Sequence, residues 1–359
     1  MLALILRRLL WLVPTLLVIS FVSFAVIQAP PGDFLTMHIL ALEESGQQVD
    51  RDQIERLREE FNLDDPFMIQ YTKWLNDLLP FGFQPAEGDY LWIENDDGER
   101  VFNWPRLKTP DLGRSMELDR PVTALLAERL PLTIALSLCT LLFTWVVAIP
   151  IGIYSATRQY SVGDYLFTFL GFIGLAMPNF LLALVFMYVG QVYFDTTGGL
   201  FSLEYRNAPW SWGKLLDLAK HIWVPMIVIG TAGTAGMIRV MRGNLLDELG
   251  KQYVVTARAK GLKRWKLTLK YPVRVALNPL VSTVGWVLPA IISGEVIVGV
   301  VLGLPTVGPL LLQALMNQDM YLAGSIIMLM AVLTVLGTLL SDLLLLWLDP
   351  RIRYEGGSR

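Results

Sequence analysis

Cysteine, histidine and charge are what this 359-residue sequence has least of: one Cys, two His, and charged residues at only 17%. Cys139 cannot close an internal disulfide, and His38 and His221 alone cannot complete a metal-ligand set with it. It reads as a small apolar filler in a buried helix. Soluble domains carry roughly 25% charge; the shortfall here, with 54% hydrophobic residues and a mean hydropathy of +0.49, excludes a disordered chain and points to a membrane protein. The absence of a glycine period excludes a fibrous repeat. Catalytic motifs are missing as well. A Gly-x4-Gly-Lys-Ser/Thr phosphate loop fails at both candidate places, because Ala208 stands five residues before Gly213 and Leu245 five before Gly250. Neither a serine nucleophile elbow nor a paired-histidine metalloprotease helix occurs. The chain is expected to be no enzyme and to bind no metal.

What is present is a set of long uncharged runs. A spanning helix needs about 20 residues with almost no full charges. Residues 9–32, 132–153, 165–194, 221–238 and 275–294 contain no Asp, Glu, Lys or Arg, and 320–348 carries only Asp342. Residues 296–318 are also uncharged, but Gly299, Gly303, Pro305, Gly308 and Pro309 make them read as a helix end followed by a short irregular segment. Six spans are expected. The first follows Arg7 and Arg8 as a signal peptide would, but exceeds a 7 to 15 residue apolar core and precedes no clear cleavage site, so it is kept as a span.

Lys and Arg near span ends are retained on the cytoplasmic side. Arg7, Arg8, Arg158, Arg351, Arg353 and Arg359 all fall on one side of a six-span chain, as do ten basic residues from Arg239 to Arg274, against Asp247 and Glu248. Both termini are therefore expected in the cytoplasm. The opposite side receives residues 30–131, with 21 of the 32 acidic residues and 10 of the 29 basic ones. The net charge of −3 is thus local to one external domain, and no clustered basic face speaks for nucleic acid. Three regions follow: residues 1–29, the acidic domain 30–131, and a core 132–359 that contains the basic loop 242–280.

Within the acidic domain, Asp50 and Gln53 resemble a capping box ahead of Ile54, Leu57 and Phe61, and Asp64 with Pro66 marks a second start ahead of Ile69, Trp74, Leu75 and Leu78. Two short helices are expected. Residues 81–108 scatter Phe81, Phe83, Tyr90, Trp92, Phe102 and Trp104 among Gly, Pro and acids, and Asn95 to Gly98 suit a hairpin turn. Two readings stand, an aromatic mini-core packed on the membrane and a docking surface carried by Trp92 and Trp104.

In the basic loop, Leu245, Leu249, Tyr253 and Ala257 recur every four residues. One helix is expected, with Asp247 and Glu248 in its first turn, Arg258 and Lys260 in its last, and Gly261 stopping it; a second should run from about Leu262 to Pro272. Such a hairpin could lie on the membrane or fill a groove on a partner.

The stretch Tyr253, Thr256, Ala257, Arg258, Ala259, Lys260, Gly261, Leu262 resembles the signature of permease subunits of bacterial ATP-binding-cassette importers, in the form of the dipeptide, oligopeptide and nickel group. Arg7 to Asp33, Asp111 to Ser115 with Arg120 to Val122, and Leu348 to Tyr354 resemble the first permease of that group, in the right order; residues 81–108 match nothing. The broader pattern, Glu-Ala-Ala-x3-Gly, is met only at Ala257 and Gly261. The resemblance implies an all-α, six-span type I importer permease in the inner membrane, with an enlarged periplasmic domain after the first helix. It implies a second homologous permease, two ATPase chains that hold the ATP and Mg, a periplasmic binding protein, and peptide cargo. It further implies that the eight signature residues form a coupling helix seated in an ATPase cleft. A solvated or lipid-facing basic surface is the other reading of Arg258, Lys260, Lys263 and Arg264. Oligosaccharide cargo is the alternative within the class, and a non-transporting membrane scaffold the alternative outside it.

Two acids sit inside apolar runs. Asp342 is expected near the cytoplasmic end. Glu295 lies one turn before Gly299, the position where the family commonly has an acid, six residues ahead of Pro305. It is a candidate for the translocation path or for a structural hydrogen bond between spans. Gly230, Gly233 and Gly236 suggest close helix packing, and Pro225 and Pro289 suggest kinks.

Overall fold

The computed structural model describes residues 2–29, 34–36, 39, 51–61, 63–83, 92–94, 100–194 and 199–348. They form two compact units: Met1–Ile5, Leu130–Pro309 and Val332–Arg359 make one, Leu6–Arg129 and Leu310–Ala331 the other. Four helices are long and apolar enough to cross a membrane: α1 (Leu2–Gln28), α4 (Val122–Thr157), α8 (Trp223–Leu249) and α15 (Met320–Leu348). Two bent pairs bring the number to as many as six if each pair is one span.

The first pair is α5 (Val162–Ala176) and α6 (Asn179–Phe194), bent by 106°. Residues 165–194 are thus not one straight helix, as their apolarity suggested. Pro178 has no N–H to donate and pushes Met177 to an extended conformation, φ −81 and ψ 128. The second pair is α13 (Val284–Leu302) and α14 (Val307–Met316), bent by 97° across the break. The irregular segment expected after residue 296 is a four-residue break followed by a ten-residue helix. Glycines and prolines mark helix ends and starts as readily as loops. Pro225 kinks nothing, because it falls in the first turn of α8, where no N–H is required.

The core of the first unit is apolar and helical. Leu132 and Leu136 of α4, Ala183 of α6, Val224 and Val228 of α8, and Val298 and Leu302 of α13 are buried together. Gly230 takes the close contact expected of it, since a Cβ there would meet Phe143 Cδ1 at 2.9 Å; Gly233 and Gly236 do not.

In the second unit, α2 (Arg51–Glu60) and α3 (Phe67–Leu78) are the two expected short helices. The capping Asp50 lies outside the described residues. Pro66 rather than Asp64 stands at the N-cap of α3, with no side-chain cap. Phe21 and Phe24 of α1 meet Phe67 and Tyr71 edge-on, with ring centroids 5.2–6.0 Å apart, and the Ser20 and Tyr71 hydroxyls are 2.9 Å apart. Two small antiparallel pairs depart from an all-helical chain. β1 (Phe81–Gly82) pairs with β4 (Arg106–Leu107), and β2 (Trp92–Glu94) with β3 (Arg100–Phe102), in register Trp92 to Phe102. The expected hairpin is present, with its turn residues outside the described set.

Candidate functional site

Two places concentrate the chemistry, a hairpin after α8 and the break in the second bent pair. The periodicity from Leu245 to Ala257 does not form one helix. α8 runs on to Leu249, so Asp247 and Glu248 lie in its last turn, and the chain breaks at Gly250 and Lys251 before α9 (Gln252–Ala259) begins. A four-residue repeat reads the same through a short break, because Gly250 costs roughly 1 kcal/mol in a helix.

Gly261 ends the turn after α9 with φ +77, and its N–H donates to Arg258 O at 3.0 Å. A Cβ there would meet nothing within 4 Å, so the glycine is needed for its left-handed backbone and not for space. α10 (Arg264–Lys270), α11 (Pro272–Ala276) and α12 (Asn278–Ser282) follow. Val254 and Ala257 are buried against Leu267, with Tyr271 beside them. Ala257 is therefore part of the hairpin's own core. The outer face carries Tyr253, Val255, Thr256, Arg258, Ala259, Lys260 and Leu262, all exposed, with Trp265 at 60% exposure. Tyr253 donates to Glu248 Oε2 at 2.5 Å and Thr256 to Gln252 O at 2.9 Å. Arg258, Lys260 and Lys263 form no ion pair among the described residues. Trp265 escaped sequence reading; its signal is an aromatic inside a run of cations, with Lys266 Nζ 5.4 Å from its ring centroid.

The hairpin is tied to the spans. Arg264 donates to Thr157 O at the end of α4 (3.3 Å), and Arg274 to Leu348 O at the end of α15 (2.9 Å). Beneath it, Val273 and Ala276 of α11 are buried with Ala156 of α4 and with Met241 and Leu245 of α8. The segment from α9 to α11 is therefore anchored to three long helices.

At the break, Gly303 takes φ +63, and Leu304 N–H reaches back to Gly299 O at 2.8 Å. Glu295 of α13 is completely buried. Neither of its oxygens has a hydrogen-bond partner of ordinary geometry among the described residues, although the Thr306 hydroxyl and the Gly308 amide face it. Gly308 lets α14 begin against it: a Cβ there would stand 3.0 Å from Glu295 Cγ. Val307 N–H donates to the Thr133 hydroxyl of α4 at 2.9 Å. Gly299 has no room for an acid, because a Cβ would lie 2.7 Å from Pro309 Cγ.

Trp104 is 73% exposed and meets Phe102 edge-on, with centroids at 5.3 Å; Phe81 and Leu107 are also exposed. Trp92 is paired through its backbone. Asp319 was missed altogether. It caps α15 by accepting from Leu322 N–H (3.1 Å) and also accepts from the Ser115 hydroxyl (2.5 Å) and Glu117 N–H (3.3 Å), while burial pushes its carboxyl upward from its ordinary value. Its sequence signal was Asp before an apolar run, the N-cap pattern.

Comparison with known proteins gives the following. The family described as binding-protein-dependent transport system inner membrane component matches residues 148–354, and its N-terminal companion matches residues 1–87. The oligopeptide transport system permease protein AppB of Bacillus subtilis (strain 168) is 34% identical, over 99% of this chain and all of its own length. The dipeptide transport system permease protein DppB of Escherichia coli (strain K12) is 28% identical over the same shares. Among solved structures, a chain from the MetNI methionine ABC transporter in inward-facing conformations shares the fold, with TM-score 0.50 and 16% identity, over 63% of this chain and 97% of that one.

Proposed function

Given that the chain belongs to the binding-protein-dependent transport system inner membrane components, we propose that it is a pore-forming permease subunit of a peptide importer. The observation that carries this reading is the hairpin 252–271, self-packed inside, exposed and basic outside, and bonded to the ends of α4 and α15. It acts as the coupling element. Tyr253, Thr256, Arg258, Ala259, Lys260 and Leu262 meet a cleft on an ATPase chain, and Gly261 sets the angle between the two helices. Trp265 adds apolar contact, and the three unpaired cations take acidic partners. Two such ATPase chains hydrolyse ATP, a second permease completes the path, and a binding protein delivers cargo from outside. The relatives named for oligopeptide and dipeptide transport support peptide over oligosaccharide as that cargo. The mass of 21 acids in residues 30–131, against ten cations in 239–274, supports cytoplasmic termini.

Reconstitution with the partner chains is expected to give ATP-dependent peptide uptake. In a Cys139→Ala background, cysteines at Leu107 and Gln252 are expected to label from opposite faces with an impermeant reagent. Labelling from the same face would overturn the orientation.

The exposed strip around Trp104 supports docking of the binding protein over an aromatic mini-core. Trp104→Ala is expected to leave membrane abundance unchanged and to weaken uptake several-fold at limiting binding protein, with recovery at excess. Trp92→Ala is the parallel test. Lost abundance would identify a mini-core instead.

A further inference from the structure

A groove between α5 and α8 belongs to neither of these places. Its volume is about 280 Å³, and it is lined by Tyr160, Phe167, Phe172, Leu175, Arg239 and Arg242, among others. One end is apolar and the other is built around charge. Arg242 donates to both oxygens of Asp164, from Nε at 3.2 Å and from a terminal nitrogen at 3.0 Å, and Asp164 is nearly buried. Tyr160 N–H donates to the same carboxylate at 3.0 Å, and the Ser161 hydroxyl caps α5 through Asp164 N–H. The Asp164 charge is thus fully engaged, and the Arg242 charge with it.

Arg239 is left over. It is exposed one turn from Arg242, its guanidinium carbon lies 5.5 Å from the Phe172 ring centroid, and it forms no ion pair among the described residues. Arg158, in the turn between α4 and α5, is exposed and stands over Tyr154. Among the charged residues that line the groove, Asp164, Arg239 and Arg242, one positive charge is in excess, and Tyr165 and Phe172 are each more than half exposed along its wall. A held pair of arginines, one neutralised and one free, at the end of an apolar channel in a span, is complementary to an anionic headgroup followed by an acyl chain. Tyrosines at the same level suit the interface between headgroups and hydrocarbon.

We propose that this groove is a binding site for an anionic phospholipid, with the phosphate on Arg239 and an acyl chain along Phe167, Phe172 and Leu175. Its leaflet rests on the orientation proposed above, but its existence does not. The apolar wall favours a lipid over a free phosphate, which would gain nothing from it.

The test is native mass spectrometry of the intact transporter, purified with its partner chains and titrated with phosphatidylglycerol. Phosphatidylglycerol adducts are expected to persist where phosphatidylcholine adducts do not. Retention should fall about fivefold in Arg239→Ala, in line with one basic residue at a membrane surface. It should survive in Arg239→Lys and be lost in Thr168→Trp, which fills the groove while Arg239 remains. Equal retention in wild type and Arg239→Ala would overturn the proposal. So would displacement of the lipid by millimolar inorganic phosphate, which would identify an anion site. Adducts on the isolated chain that vanish in the assembled transporter would show that another subunit occupies the groove, and would overturn it too. Failure of peptide uptake leaves all these outcomes unaffected, so the two readings fail separately.

Discussion

Gly261→Pro is expected to abolish peptide uptake, by at least about 100-fold, while the chain stays inserted. Proline fixes φ near −65°, whereas Gly261 holds +77, and proline also removes the N–H that donates to Arg258 O. The turn between α9 and α10 cannot form, and the outer faces of the two helices no longer share one surface. Gly261→Ala tests the cause. Open space surrounds the position, so alanine brings only the left-handed strain of about 1–2 kcal/mol. Partial uptake is expected. Gly261→Asn, which tolerates that backbone better, should lie nearer wild type. In reconstituted vesicles, stimulation of ATP hydrolysis by loaded binding protein should be lost in the proline variant while basal hydrolysis remains. Stimulation that survives Gly261→Pro unchanged would remove the coupling role.

Much of this geometry was legible in the residues, and the misses have a common physical origin. Uncharged runs located the membrane segments because the cost of a buried charge is large and local. Straightness was not legible: residues 165–194 are apolar throughout, and the 106° bend depends on how Pro178 is accommodated by neighbouring helices. The second bend shows the same limit. Gly299, Gly303, Gly308 and Pro309 were visible, but whether they make a loop or a close crossing of two helices depends on Pro309 resting on Gly299. Gly261 was legible because a left-handed turn is a property of the residue itself. Ala257 was visible as a small residue, and its burial against Leu267 was not, since the second helix could equally have splayed away. Asp319 shows what tertiary contact adds to a local signal. Its N-cap role follows from sequence order alone, whereas its partner Ser115 lies about 200 residues away and could be found only in space. That contact also explains why residues 310–331, apolar enough to be assigned to the core, cluster with the unit that contains residues 111–117.

Glu295→Leu is expected to separate stability from transport. A buried carboxylate whose oxygens have no hydrogen-bond partner of ordinary geometry among the described residues is costly, by several kcal/mol per ion in comparable settings. If Glu295 served only to fix the crossing of α13 and α14, its loss would lower the thermal midpoint and the uptake together. If the cost is kept for the translocation path, where the carboxylate meets the cationic amino group of a passing peptide, the leucine variant should be as stable as wild type or more so. Its uptake should nonetheless fall by more than about tenfold, the equivalent of 1.4 kcal/mol. Glu295→Gln preserves the shape and removes the charge, and should give the same loss of uptake. Moving the acid one turn along α13 offers no rescue. Gly299→Glu combined with Glu295→Gly should fail to assemble, because a Cβ at residue 299 stands 2.7 Å from Pro309 Cγ in a crossing that has no slack. The measurements are the thermal midpoint of the purified complex and initial uptake of peptides with free and with acetylated amino termini. Wild type should discriminate between the two and Glu295→Gln should not. Equal discrimination in both would return Glu295 to a purely structural part at the elbow.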